Sequence, residues 1–181
     1  MNEPSEEEAQ SMKVNCVGVA SAIIALASLA LPWWTMTISI LETPFSWDMY
    51  TWGVRSPTEI VGDSILFDFA DSYRYSALAL IVVGGILGLA GSVTVGRKGW
   101  TILATSGILI ILATIIFVAG LATDPALADA TPPIGIFESK EVEILGFSYN
   151  ISAYLQIGFF LAITAAILAS ISMLRHPTAS S

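Results

Sequence analysis

The sequence predicts an all-α transmembrane four-helix bundle that carries a small extracytoplasmic antiparallel β-sheet. Three observations predict it. Four runs, Val14–Thr35, Ser76–Gly96, Gly99–Thr123 and Ile151–Leu174, contain no Asp, Glu, Lys, Arg or His. Each reaches the roughly 20 residues that an α-helix needs to cross about 30 Å of hydrocarbon. The bases beside these runs, Lys13, Arg97, Lys98 and Arg175, all fall at one end of such a bundle. After Leu31-Pro32-Trp33-Trp34 the helical period gives way to the alternation of a strand, which needs a sheet to take its backbone hydrogen bonds. Composition agrees, because 55% of the 181 residues are hydrophobic and only 12% are charged, far from the balance of a soluble domain.

Residues 1–12 are acidic and polar with Pro4 and have nothing to bury, so they are expected to form a disordered cytoplasmic tail. Transmembrane segment 1 is placed at 13–34, with Gly18, Ser21, Ala22, Ala25 and Ser28 giving it small-residue faces and the tryptophans marking the water boundary. Ser28-Leu29-Ala30 resembles a signal-peptide cleavage site, but the apolar run is long and its leader, Glu6-Glu7-Glu8, has the wrong sign, so an anchored helix is expected. The first outer loop spans 35–75. Thr35 to Leu41 alternates, and so does the stretch after Glu42-Thr43-Pro44, placing Phe45, Trp47 and Met49 on one face of a hairpin. Ile65-Leu66-Phe67-Asp68-Phe69 offers a third strand or a short amphipathic segment, and Tyr73 and Tyr75 form an aromatic belt.

Transmembrane segment 2 is expected at 76–96. In it Gly84, Gly88, Ser92 and Gly96 recur every four residues, the spacing of a close-packed helix face. A tight cytoplasmic link at 97–98 leads into segment 3 at 99–122. The second outer loop, 123–150, has charges at Ser139 to Glu141 between apolar residues and is expected to hold a β-hairpin or an edge strand. Segment 4, at 151–174, repeats the small-residue seam with Gly158, Ala162, Ala166 and Ser170. Asn150-Ile151-Ser152 matches a glycosylation acceptor but stands where this helix would open, which argues against its use. Residues 175–181 form a short tail after Arg175-His176-Pro177.

The placement of Lys and Arg makes both termini cytoplasmic in a multi-pass protein of the cell membrane. The outer loops then hold eleven acids against Arg55, Arg74 and Lys140, while four glutamates of the first tail cancel the four inner bases. The formal charge of −8 therefore lies outside. Such a face repels nucleic acid and anionic surfaces. The single cysteine, Cys16, excludes an internal disulfide and is expected to be a small buried residue, with palmitoylation the alternative.

Catalytic chemistry is not legible. The lone His176 has no partner, the spans hold no ionisable group of the kind that pumps use, and no cofactor or metal is expected. Asp63, Asp68 and Asp71, or Asp124 and Asp129, offer oxygen ligands for calcium, but their spacing fits no known loop and a solvated acidic rim is the simpler reading.

The four-span plan with a long β-forming first loop resembles the claudin and peripheral-myelin-protein superfamily. Leu31-Pro32-Trp33-Trp34 is similar to the Leu-Pro-x-Trp with which claudins leave their first span, which puts Trp34 at the family's signature tryptophan. Arg74 resembles the basic residue before the second span, and Asp63-Ser64-Ile65-Leu66 resembles the family's Asp-Ser-Leu-Leu. The Gly-Leu-Trp and the cysteine pair are missing, and the end Ala179-Ser180-Ser181 is unlike the claudin PDZ ligand. The resemblance therefore implies a distant, disulfide-free relative. It implies a non-enzymatic scaffold or adhesion protein in membrane lipid, working with its own copies or another membrane protein; an auxiliary subunit of a channel or transporter is the alternative.

Overall fold

A computed structural model describes residues 14–40, 43–55, 71–124, 127, 135–144 and 147–174. Among them lie four helices and five strands: α1 (Cys16–Ser28), β1 (Trp34–Ile40), β2 (Thr43–Met49), β3 (Val54–Arg55), α2 (Asp71–Val93), α3 (Arg97–Ala122), β4 (Glu138–Ile144), β5 (Phe147–Leu155) and α4 (Ile157–Leu174). Both expected tails, and the segment at 65–69 with its expected third strand, lie outside the described residues.

The helices pack in a ring, each against its neighbours in sequence and α4 back against α1. Three of them, α2, α3 and α4, are long and apolar enough to cross a membrane. Helix α1 is shorter than its apolar run, with 13 residues and a length of about 20 Å. Pro32 disfavours helical backbone at Leu31, and the last turn tightens as Leu31 N–H bonds the Ser28 carbonyl. From Trp33 onward the backbone belongs to the sheet, since the Trp33 N–H donates to the Met49 carbonyl at 2.8 Å.

The sheet is antiparallel throughout, in the order β3-β2-β1-β5-β4. Every connection between helix and strand leaves the same end of the bundle, so the sheet caps that end and the α2–α3 turn marks the other. The first hairpin follows the sequence pattern, with Trp34 opposite Met49, Met36 opposite Trp47 and Ile38 opposite Phe45. Strand β1 is central, held by β2 on one side and by β5 on the other.

Several boundaries differ from the expected ones, and α2 already starts at Asp71, inside the loop expected to run to 75. The apolar run at 151–174 contains two elements, because Ile151 and Ala153 are buried as alternate residues of β5 and the helix starts only at Ile157. Buried strand and buried helix are equally apolar, so hydropathy alone merges them. Asn150 and Ser152 thus sit in a strand and not at a helix opening. Arg97 and Lys98, expected as a link, begin α3; the turn lies just before them at Gly96. The second loop holds the expected hairpin, with the charges at 139–141 within edge strand β4 and Ile144 opposite Phe147 of β5.

The core runs from the sheet into the bundle. Trp33 is fully buried, its ring meeting Phe117 of α3 edge-on at 5.1 Å and Phe159 of α4 at 5.9 Å. Each such pair adds about 0.5–1.5 kcal/mol beyond burial. Its indole N–H is satisfied by the Ser28 carbonyl at 3.0 Å.

Candidate interaction surface

Alternation gives the sheet two unlike faces. Trp34, Met36, Trp47, Met49, Ile151 and Ala153 are buried on the face toward the bundle. The opposite face is built of hydroxyls. Ser46, Thr37, Ser152 and Ser139 line up across β2, β1, β5 and β4 as one row of the register. Thr37 and Ser46 share a hydrogen bond of 2.9 Å, and in the next row Thr35 Oγ1 donates to Asp48 Oδ1 at 2.7 Å. These side chains are partly or fully exposed, so the face offers hydroxyl donors and acceptors, with the carboxylates of Asp48, Glu141 and Glu143 on the same side of the sheet by alternation.

The β4 edge is different. Glu138, Lys140, Glu141 and Glu143 follow one another along a strand that pairs only with β5 among the described residues. Charges on a free edge oppose pairing with further strands. Glu138 is tied down at its start: Lys140 Nζ lies 2.7 Å from Oε1, and the Gly135 N–H donates to Oε2 at 2.6 Å. The Lys140 hydrogen bond, then that of Gly135, hold the Glu138 carboxyl below the usual carboxylate range.

Beneath the sheet, the two residues of the signature are buried. Trp34 donates its indole N–H to the Ile136 carbonyl at 3.1 Å. Arg74 lies with its Cζ 5.5 Å from the Tyr75 ring, within cation–π range. Trp33 and Trp34 are therefore part of the junction's buried core; the exposed tryptophan there is Trp52, which bonds the Leu29 carbonyl at 2.8 Å. Asp124 is also buried, and among the described residues no three His, Cys, Asp or Glu side chains cluster as metal ligands would.

Both small-residue seams pack inside the molecule. A Cβ on Gly84 would stand 3.0 Å from Ile110 of α3, and one on Gly88 would stand 3.1 Å from Ala22 of α1. Ser92 is buried beside Gly18. Ala162 and Ala166 are buried, while Gly158 lies against Trp33 and the backbone of Leu31 and Pro32. Two members depart from the pattern. Gly96 has open space around it and a φ of 77°, so it serves the turn and not a helix contact. Ser170 is exposed and bonds the Ala166 carbonyl of its own helix.

Several ties escape a reading by spacing. Ser21 donates to the Ala165 carbonyl and Ser106 to that of Gly84, both at 2.7 Å and both between helices. Asn15 caps α1 through the Gly18 N–H and reaches Ser172 of α4 and Ser92 of α2. Serines in an apolar run and an Asn at its start were the available signals. Cys16 is exposed, contrary to the expected burial. No protein-family model and no curated protein matches this chain.

Proposed function

We propose that this chain is a distant claudin-like tetraspan of the cell membrane, with both termini cytoplasmic, and a non-enzymatic scaffold that presents its sheet outside the membrane to protein partners. The observation that carries this reading is the hydroxyl-rich face standing on a helical ring whose seams are filled from within. A bundle that satisfies its own small-residue contacts leaves the sheet as the part free to meet a partner. A photo-crosslinking amino acid in place of Thr37 or Ser152, used in native membranes, is expected to capture a second copy or another membrane protein. Recovery of monomer alone from both positions sinks the proposal.

An auxiliary role beside a channel or transporter is the second reading, and the β4 edge favours it. Two copies paired through β4 would bring the glutamates of one acidic edge among those of the other, which is unfavourable wherever two of them face directly. A different chain with basic residues on its edge meets no such penalty. Mass identification of the crosslinked product separates the two.

A further inference from the structure

On the bundle surface, α3 and α4 enclose a groove of about 160 Å³ lined by Leu103, Ala104, Gly107, Ile108, Ile111 and Met173, with Ser170 at its rim. Gly107 makes its floor, for a Cβ there would already touch Ala169 at 3.4 Å. The Ser170 hydroxyl is spent on the Ala166 carbonyl, so it adds no free donor. The lining spans two turns of α3, about 10 Å, and Ile108 and Ile111 stand exposed beside it.

The start of α3, beyond the groove, is chemically specific. Helical periodicity puts Arg97 and Trp100 on the same side of α3 as Ala104, Gly107 and Ile111, and turns Lys98 to the opposite side. Arg97 and Trp100 are both exposed. Side chains on a helix lean toward its N-terminus, so Arg97 reaches past the apolar stripe. The helix starts at Arg97 after Gly96, which supplies no side-chain cap. An apolar groove with a guanidinium and an indole on the same helix face, about one to two turns nearer the helix start, complements a molecule with a hydrocarbon tail and an anionic head.

We propose that this groove binds one acyl chain of an anionic phospholipid, whose phosphate rests against Arg97 at the start of α3. The inference rests on the membrane reading above. The full chain in detergent, incubated with palmitoyl-oleoyl phosphatidylglycerol or with the phosphatidylcholine of the same chains, is read by native mass spectrometry for retained lipid. The wild type is expected to retain the anionic lipid about fivefold better, the worth of one basic residue beside an anionic group. Arg97→Gln brings the two lipids to parity, whereas Lys98→Gln keeps the preference. Ala104→Phe, which fills the groove, lowers retention of both. Equal retention by the wild type overturns the proposal, as does a preference that survives Arg97→Gln; Arg97 is exposed, so that variant keeps its packing. An alkaline wash of the membranes that releases the chain would defeat the membrane reading itself, while a chain that resists the wash and shows no preference defeats the groove alone.

Discussion

Gly158 and Gly96 lack a side chain for opposite reasons. A Cβ on Gly158 would stand 2.6 Å from Trp33 Cδ1 and 2.7 and 2.8 Å from the Leu31 and Pro32 carbonyl oxygens, and backbone cannot step aside. Gly96 has open space but φ 77° and ψ −161°, a region essentially reserved for glycine. Gly158→Ala is expected to cost about 1–3 kcal/mol by overpacking and to change the near-ultraviolet circular dichroism of Trp33. Gly96→Ala costs a similar amount, about 1–3 kcal/mol, through backbone strain and leaves that signal unchanged. Thermal unfolding in detergent with both readouts checks the pair. Glu138 gives a pH dependence of definite sign. Its lowered pKa means that its stabilisation is complete above the ordinary glutamate value and is lost as pH falls through the lowered one. The pair is near the surface, so the whole effect is at most about 1 kcal/mol. Glu138→Gln should remove it, as followed by hydrogen exchange of the Gly135 amide across the acid range.

At the scale of elements, what was legible followed from period. Trp34 to Ile40 and Thr43 to Met49 alternate cleanly because one face is buried and the other is solvated, so the hairpin and its register could be read. Strand β5 was hidden, since its inward residues Ile151 and Ala153 continue the apolar run of α4 without a charge to divide them. Strand β3 has only two residues, too few for any period. The glycine seams were legible as close contacts, but not which neighbour each would meet, because every face of these helices is small or apolar and the partner is chosen by packing. The β4 edge yields its own prediction. Glu141→Thr with Glu143→Thr removes two guarding charges while keeping strand-forming side chains, and should convert a soluble detergent complex into higher oligomers by light scattering. An unchanged mass would mean that those charges do not guard the edge.

For the whole molecule, the arrangement of ends follows from connectivity: every strand joins the bundle at one end, and Arg97 and Lys98 lie at the other. On the membrane reading proposed above, the charge asymmetry along the chain predicts an orientation. With Cys16→Ser as background, an impermeant maleimide added to intact cells should label Ser46→Cys on the sheet and spare Lys98→Cys, and lysis should expose the second. The reverse pattern would invert the orientation. One feature of the sheet also bears on how the chain comes to be made. Strand β1 is flanked by a neighbour synthesised at once, β2, and by one synthesised more than a hundred positions later, β5. Until β5 emerges, the middle strand waits with half its amides unclaimed and Trp33 without Phe159. Such distant pairing is slow to form, so a ribosome stalled before β5 would leave an adhesive, incomplete cap.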